Sequence, residues 1–429
     1  MRRLLLVISL AVGCSLFGQY QVTIQQTGII RTLRMRYWNV ELETAHTSDP
    51  IRPYLVMGSD GEIGANGDLY NHTLEISFDE MSHETRFYTY TLYHLNANRQ
   101  PSDLSSYEYV DGFTTQDITD YEHSVNTSTL YTHYRFTFPN DDMRIKAAGN
   151  YMLQIYEDND RDKPVGRIYF SVVHPSVTVE SKIRTNTDIE FSGRYQQLDL
   201  SVKVPQQTFA KDYFICVRQN GRLDNQVYQP KPDFISGQEL QFIHCKDLIF
   251  EGGNEYRHFD TYSTYYAGTH IDHITFDHSD YHAAIEYDEI SNRAYMHEYD
   301  VNGQYLINAE RTLDDVDTEA EYMWVHWRLM AEQPWLDGLV YVGGDLFQNT
   351  LSSVNRMSYD NEHRCYYLDA LVKQGGHDYQ YWFVPKGAKK ATLQRTEGSH
   401  WETSNEYTIY VYYRPFGSRY DQLVGLYQL

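Results

Sequence analysis

Short stretches in which apolar or β-branched residues alternate with polar ones follow one another along the chain. Those in the first 174 residues are 73–81 (TLEISFDEM), 87–95 (FYTYTLYHL), 133–139 (HYRFTFP), 150–158 (NYMLQIYED) and 166–173 (GRIYFSVV). A period of two is typical of strands with one buried face. Turn-forming pairs such as Asn140-Asp141 and Gly149-Asn150 separate them. We therefore expect a sandwich of about seven strands between residues 26 and 174.

The same pattern continues in a second block, about 176–312, and a third, about 318–429. The second block includes VTVESKIR, QLDLSVKV and DYFICVRQ, the last followed by an Asn220-Gly221 hairpin turn. The third includes YMWVHWRLM, GLVYVGGDL and YTIYVYYRP. Helical periodicity of useful length is not found. The predicted fold class is all-β, with several tandem Ig-like antiparallel β-sandwich domains: an N-terminal domain (19–174), a middle domain (175–317) and a C-terminal Ig-like domain (318–429).

The first eighteen residues have the pattern of a secretory signal peptide. Arg2 and Arg3 precede an apolar run over 4–12, which is too short to span a bilayer as a helix. Two processing sites compete. Cys14, in AVGC, would be lipidated, or cleavage after Gly18 would start the mature chain at Gln19, which is the interpretation we favour. No later stretch is apolar enough to span a membrane, so we expect a protein that is exported but does not span a membrane.

Composition narrows the classes of partner. The 429 residues carry a formal net charge of -23, with a sequence pI near 5.1. Nucleic acid and anionic membrane surfaces are therefore not expected as partners, because both require clustered Lys and Arg. The chain has 40 tyrosines. Tyrosine favours strands and supplies rigid contact area with a polar tip, so either a Tyr-rich sandwich surface or an interface would account for it.

Cysteine, metal and catalytic motifs are weak. A disulfide between Cys216 and Cys245 is possible if neighbouring strands carry them. The interpretation we favour is that these two and Cys365 are free thiols with small, buried side chains. The stretch THIDHITFDHSDYHAA contains residue types that bind zinc. Strand alternation places Asp280 and His282 on one face, but a zinc site requires three or four ligands and the pattern does not identify the others. We therefore predict no metal and no cofactor. The acidic stretch EDNDRD lacks the glycine and glutamate of a calcium loop and is expected to be a hairpin tip.

No catalytic residue is predicted either. FEGGNEYRHFD (250–260) lacks the Lys-Ser/Thr of a phosphate loop, so close backbone approach explains Gly252 and Gly253 better. No Gly-x-Ser-x-Gly motif occurs, and no carboxylate pair has a spacing that nominates an acid and a base. An exported hydrolase therefore has no support from any motif.

The third block is similar to the Ig-like modules that bind glycogen. The positions that follow the order of that family are Gly343, Gly344, Phe347, Met357, Tyr359, Leu371, Gly375, Tyr379, Tyr381 and Phe383. The stacking Trp expected after the Phe is missing, because Gln348-Asn349 stands there. The resemblance therefore implies the fold more strongly than carbohydrate binding. An exported carbohydrate-binding β-sandwich protein remains the alternative function.

A longer resemblance covers nearly the whole mature chain. The stretch from YTLYHLNANRQPSDL through ITDYEHSVNTSTLYTHYRFTFPNDDM to GNYMLQIYEDND closely resembles the N-terminal region of the type IX secretion system plug proteins of the Bacteroidetes, a family formerly of unknown function. It continues in QNGRLDN, FEGGNEYRHFD, DTEAEYMWVHWRL and YTIYVYYRPFGSRYDQLVG.

The resemblance implies a non-enzymatic, periplasmic subunit that binds and closes the periplasmic opening of the giant SprA-type outer-membrane translocon barrel. Candidate partner-binding residues in the most characteristic stretch and in the C-terminal segment are Tyr107, Tyr109, Phe113, Tyr121, Tyr131, Arg414, Arg419 and Tyr420. Two alternatives stay open: the tyrosines of 101–131 fill a core, and the C-terminal segment clamps its own domain instead of docking into a partner.

Overall fold

The computed structural model describes residues 30–39, 44–45, 52–63, 73–291 and 294–429. These residues form mostly antiparallel sheets joined by loops, with two four-residue helices, α1 (Ser106–Tyr109) and α2 (Val316–Glu319), and three turns of 3-10 helix. The prediction of an all-β chain of several sandwiches is confirmed. The predicted signal peptide, Cys14 and Gly18 lie outside the described residues.

The first sandwich packs two five-stranded sheets against each other, ordered β2-β1-β4-β9-β8 and β3-β12-β11-β5-β7, beside a β6–β10 ribbon. Its strands are β1 (Ile30–Asn39), β2 (Thr44–Ala45), β3 (Leu55–Val56), β4 (Leu74–Glu80), β5 (Tyr88–Leu95), β6 (Val110–Gly112), β7 (Thr115–Ile118), β8 (Asp120–His123), β9 (Thr132–Phe138), β10 (Met143–Ile145), β11 (Gly149–Glu157) and β12 (Pro164–Val173). Aromatic rings fill the core, where Phe78 stacks on Tyr134 and meets Tyr88 edge-on. This sandwich is larger than the seven strands expected.

The second sandwich begins with strands contributed by 178–251. They are β13 (Thr178–Arg184), β14 (Tyr195–Lys203), β15 (Tyr213–Gln219), β16 (Val227–Tyr228), β17 (Phe234–Ile235), β18 (Glu239–Phe242) and β19 (Ile249–Glu251). One sheet is complete within this stretch, ordered β13-β14-β18-β17 with β19 on β14. In the facing sheet, only β15 and β16 come from residues 178–251, and two further strands are needed to cover the core.

The third sandwich follows directly. Its strands are β20 (Arg257–Asp260), β21 (Ile271–Asp277), β22 (Asp280–Ile285), β23 (Tyr305–Ile307), β24 (Tyr322–Met330), β25 (Gly338–Gly343), β26 (Ser358–Asp360), β27 (Cys365–Lys373) and β28 (Gly375–Pro385). One sheet has the order β21-β22-β24-β27-β26, and the other groups β20, β23 and β25 on β28. The core between them holds Trp327, Phe259 and Tyr381.

The chain then returns to the second sandwich. Strands β29 (Tyr407–Tyr413) and β30 (Gln422–Gln428) complete its open sheet, because β29 pairs with β15 from Tyr213↔Tyr413 to Gln219↔Tyr407. The sequence pattern places β29 in the third block and β20–β23 in the second, whereas in the structure β29 pairs with β15 and β20–β23 belong to the sheets of the third sandwich. Alternation identified these strands but could not identify their partners. The domain boundaries proposed from the sequence stay predictions.

Buried charges join the first sandwich to the third. Lys373 Nζ lies 2.6 Å from Asp79 Oδ2, and both side chains are almost fully buried. Beside them, Asp317 receives hydrogen bonds from Arg34 (2.6 Å) and Arg36 (2.7 Å). Burial would raise the pKa of Asp317, but the two guanidinium groups hold it well below its usual range. Paired in this way, the charges fix the relative position of the two sandwiches.

Arg52 joins all three sandwiches. Its guanidinium donates to Glu406 Oε2 (2.7 Å) and the Asn220 carbonyl (3.2 Å) on the second, and to Asp345 Oδ2 (3.1 Å) on the third. Gly221 leaves room for it, since a Cβ there would lie 2.1 Å from Arg52 Nε. The left-handed φ of Gly221 (65°), next to that of Asn220 (50°), agrees with the predicted turn.

The remaining local predictions can be compared with the structure directly. Cys216, Cys245 and Cys365 are free and buried, as favoured. A Cβ on Gly252 would lie 2.0 Å from the His400 carbonyl oxygen, so close backbone approach does explain this glycine. Residues 158–163 form the expected hairpin tip between β11 and β12, with Asp158 (φ 48°) and Asn159 (φ 59°) in the left-handed region.

Candidate partner-binding surface

The two segments nominated from the sequence meet at one surface, although they lie far apart in the chain. The tail loop, residues 414–421, connects β29 to β30 and reaches across to the segment around α1. Arg419 forms an ion pair with Glu108, and its carbonyl accepts a hydrogen bond from the Asp103 amide (3.3 Å). The first and second sandwiches therefore share this surface.

Local sequence chemistry builds the α1 side of the surface. Ser105 and Glu108 form a capping box, in which Glu108 Oε2 accepts from the Ser105 amide (2.9 Å) and hydroxyl (2.8 Å). The Arg419 guanidinium, together with these donors, lowers the pKa of Glu108 to about 2. The carboxylate thus serves both as a helix cap and as an anchor for the tail loop.

Aromatic side chains project from both sides of this contact. Tyr107 on α1 is 77% exposed, and Phe113, which follows β6, is 66% exposed. Phe416, at the tip of the tail loop, is fully exposed. Exposed aromatic rings held on anchored backbone are typical of residues that bury in a partner's pocket.

The other tail-loop candidates hold the loop in place. Arg414 Nη1 bonds Asp421 Oδ1 (2.9 Å), while Asp421 Oδ2 accepts from the buried Ala97 amide (2.9 Å). The ring of Tyr420 meets His94 edge-on with centroids 5.3 Å apart. The tail loop of the second sandwich is thus held against the first sandwich with Phe416 exposed, and docking into a partner stays a prediction.

Tyr109 and Tyr131 belong to the interior, in line with the core alternative. Tyr109 is buried and donates to the Leu92 carbonyl (3.2 Å). Tyr131 is fully buried between sandwiches, where its hydroxyl donates to the Ala320 carbonyl (2.8 Å) and its ring lies 4.2 Å from Lys373 Nζ. Neither side chain is available to a partner in this structure, which narrows the candidate set.

Tyr121 lies on β8, at an outer edge of the first sandwich. It is 40% exposed and packs against Tyr134, with ring centroids 5.5 Å apart. Arg135 binds Asp120 (2.9 Å) and Glu122 (3.1 Å) on either side of it. Tyr121 remains accessible, and the structure does not bring it into the contact between α1 and the tail loop.

Sequence reasoning missed Phe416 and the anchors Glu108 and Asp421. The signal for Phe416 is its place between Pro415 and Gly417, because an apolar ring in a turn has no core-facing strand to bury it. No local signal shows that Glu108 and Asp421 join the two sandwiches, since the groups they bind across this contact, Arg419 and the Ala97 amide, lie 311 and 324 residues away in the sequence.

The histidine-rich stretch does not assemble a metal centre among the described residues. His270 turns inward to Asp288 (2.9 Å), whereas His282 faces His326 on β24 (3.0 Å). His326 in turn bonds Asp369 (2.8 Å). His270 and His282 therefore lie in different places, one beside the buried Asp288 and the other beside His326, and do not converge on a common site.

The residues that resemble a glycogen-binding module form the core of the third sandwich. Tyr379 and Tyr381 are buried, and both hydroxyls donate to Asp288 Oδ2 (2.7 and 2.6 Å). Phe383 is buried as well, and no aromatic ring stands at Gln348-Asn349. The similarity is therefore one of core packing and offers no stacking platform for a sugar ring.

Within the described part of the chain, no helix has both the length and the apolar character needed to cross a membrane.

Comparison with known proteins adds to this geometry. No curated protein matches the chain. Among solved structures, a hypothetical protein from Parabacteroides merdae ATCC 43184 is 34% identical and has a TM-score of 0.85, with 94% of this chain and 97% of that chain covered. A family model described as the first domain of the type 9 secretion system plug protein matches residues 66–174. That region includes α1, Phe113 and most of the first sandwich. The resemblance found in the sequence is confirmed, and the chain belongs to the family of type 9 secretion system plug proteins.

Proposed function

We propose that this chain is a non-enzymatic subunit of the type IX secretion translocon, which binds and closes the periplasmic opening of the giant SprA-type outer-membrane barrel. Membership of the plug family supports a role in this secretion system. The proposed location is the periplasm, in association with the outer membrane. The observation that carries the proposal is the surface where α1 meets the tail loop, because it presents anchored, exposed aromatic residues, of which Tyr107 and Phe113 lie in the family-matched region.

The contacts between sandwiches suit a body that must resist deformation. Interfaces between domains of one chain commonly allow relative motion unless they are large or strongly held. Here the Lys373–Asp79 pair is buried at one such contact, and Arg52 bonds groups from two other sandwiches at the junction. A joint that opened would leave these charges desolvated and unpaired, which is unfavourable. The three sandwiches would therefore move as one body.

The exposed surface suits a contact that must also be released. Exposed aromatic and charged side chains occur together here, because Tyr107 is followed by Glu108 and the loop that carries Phe416 also carries Arg419. Interfaces of this mixed kind are typical of complexes that dissociate, whereas obligate interfaces are more apolar. A reversible closure requires an interface of the first kind.

Affinity purification from detergent-solubilised envelopes tests the proposed partner. We expect the wild-type chain to retain a very large β-barrel protein, and a triple variant with Tyr107, Phe113 and Phe416 each changed to Ser to lose it. Recovery of the wild-type chain only as a free monomer under every condition would overturn the proposal.

A matched control separates the proposed surface from general loss of aromatic area. Phe87, Phe191 and Phe209 are each more than 60% exposed and lie elsewhere on the first and second sandwiches. Changing these three to Ser should leave retention of the barrel intact. Equal loss of barrel retention in both triple variants would mean that the binding depends on non-specific hydrophobic contact and not on the surface around α1.

Permeability tests closure itself. Deleting the gene should make the outer membrane leak to molecules that the barrel admits while it carries no cargo, and the wild-type chain should restore the seal. An intact mass of the purified protein would also distinguish cleavage after Gly18 from lipidation at Cys14.

A further inference from the structure

A cavity of about 320 Å³ lies where the three sandwiches meet. This volume is within the range of small-molecule sites. Its walls come from β1, β12, the turn after β5, β15, β29 and the loop after β25. Six arginines line it and only one acidic residue, Asp345, does so. The whole chain has 36 Lys and Arg against 59 Asp and Glu, so this concentration of positive charge runs opposite to the composition.

Three of the six arginines have structural partners. Arg34 and Arg36 bond Asp317, and Arg52 bonds Glu406 and Asp345. Their charges are balanced by the joints between sandwiches. Even so, Nε of Arg34, whose side chain is only 9% exposed, bonds no acceptor among the described residues. Buried donors are nearly always satisfied, and an anion in the cavity that Arg34 lines would supply the missing acceptor.

Arg99, Arg167 and Arg218 form no ion pair with any residue that the structure describes. Arg99 lies over the ring of Tyr169 (4.7 Å) and Arg218 over that of Tyr410 (4.8 Å). Arg167 bonds the neutral amide of Gln154 (2.8 Å). Arg218 also donates from Nε to the Gln226 side-chain oxygen (2.6 Å) and from Nη1 to the Tyr410 hydroxyl (3.4 Å), both of which are neutral. Stacking on an aromatic face holds a guanidinium in plane and leaves its remaining N–H groups free to donate.

Such an arrangement is unfavourable without an anion. Burial, together with the nearby charge of Arg218, lowers the pKa of Arg99 to about 9. Two guanidinium groups that repel each other in a partly desolvated cavity weaken the fold, and proteins retain such pairs where a ligand balances them. The planar donor edges match the oxygens of carboxylate or phosphate.

We propose that this cavity is a binding site for a small anionic ligand, with Arg99 and Arg218 contacting its carboxylate or phosphate oxygens and Arg167 contributing a third positive charge. The site is separate from the surface around α1, and it does not depend on the proposed function. Its ligand would tie the first sandwich to the second, because Arg99 comes from one and Arg218 from the other.

Titration calorimetry at constant ionic strength tests the site, with inorganic phosphate and citrate as the two probes. We expect the wild-type chain to bind at least one of them at millimolar concentration or below. The probe that binds more tightly distinguishes a phosphate ligand from a polycarboxylate. The Arg99→Gln/Arg218→Gln variant should bind at least about tenfold more weakly, since each change removes a charge-assisted hydrogen bond.

Two further variants keep the test decisive. Arg356→Gln removes an exposed arginine that lies outside the cavity, and should leave binding unchanged. If the double variant fails to fold by circular dichroism, Arg167→Gln replaces it, with weaker binding expected. Absence of binding of both probes to the wild type, or wild-type affinity in a folded cavity variant, would overturn the proposal.

Discussion

The Lys373 ammonium nitrogen lies 2.6 Å from Oδ2 of Asp79, in the buried contact between the first and third sandwiches. The same carboxylate accepts from Tyr322 (2.8 Å) and faces His133 Nδ1 (2.6 Å). Burial would raise the pKa of Asp79, but Lys373 and His133 hold it below its usual range. The carboxylate is therefore ionised and has a partner for each oxygen.

Removing one member of this pair should strongly destabilise the chain. Lys373→Met leaves the Asp79 carboxylate buried without its cation, at an expected cost of about 3–5 kcal/mol in the free energy of unfolding. Urea denaturation measures it. Lys373→Met with Asp79→Asn should recover part of the loss, and Lys203→Met, which breaks the exposed pair with Glu180, should change little. A Lys373 variant as stable as wild type would show that the pair does not hold the sandwiches together.

Two buried histidines should make the fold less stable as the pH falls below about 6.5. Burial lowers the pKa of His94 to about 4 and that of His377 to about 3. Below pH 6.5 the unfolded chain takes up protons at these positions while the folded chain does not. Stability is therefore lost as pH falls from about 6.5 towards 4, by ~1.4 kcal/mol per pH unit for each histidine. Asp300, whose pKa burial raises to about 6, acts in the opposite direction and offsets part of the loss.

The urea midpoint measured from pH 7 to pH 4.5 checks this dependence. His377→Gln should give a shallower decline than wild type. The exposed His278 provides the control, and His278→Gln should retain the wild-type slope. Identical slopes in all three proteins would mean that His377 is not the neutral, buried group described above.

Gly221→Ala tests the joint formed by Arg52. The new Cβ would lie 2.1 Å from Arg52 Nε, in addition to the strain of a left-handed backbone. We expect a loss of about 1–3 kcal/mol in unfolding free energy. Gly387→Ala is the matched control, because its φ is 83° and nothing lies within 4 Å of the new atom. Equal effects at the two glycines would leave backbone strain as the sole cause and remove the role of Arg52.

Arg419→Ala should separate local order from global stability. The Arg419–Glu108 pair is exposed, so the melting temperature should stay close to that of wild type. Release of the tail loop from α1 should instead appear as faster amide exchange over 414–421. Exchanging the charges, with Glu108→Arg and Arg419→Glu, should restore protection if the ion pair is the cause. Unchanged exchange in Arg419→Ala would show that Asp421 and Tyr420 hold the loop without it.

Alternation of residue type predicted strands well because it records local burial. It could not predict what covers their second face. Strand β4 alternates polar and apolar residues, which is the pattern of a strand with one face in solvent. Every side chain of this strand is nevertheless buried, the polar ones being Glu75, Ser77 and Asp79. The third sandwich covers Asp79 on this polar face. Lys373, which balances the charge of Asp79, lies 294 residues further along the chain.

The candidate surface was predicted only in part for the same reason. Arg419 and the 101–131 segment were nominated separately, and their contact depends on β29 returning to β15. Tyr109 and Tyr131 carry the same local signals as Tyr107, since all three occur among polar and turn residues. Only tertiary packing decides which rings are covered.

The return of β29 to β15 also has a consequence for the order in which the chain folds. Gln219 and its partner Tyr407 are 188 residues apart, and the entire third sandwich is threaded between them. Pairings of such long range form slowly, because closing a long loop costs entropy before any contact compensates for it. The inserted sandwich, with its nearer partners, would mature first and bring the late strands within reach. Assembly of the second sandwich would then be the final step, and until it occurs the apolar edge of β15 stays open to aggregation.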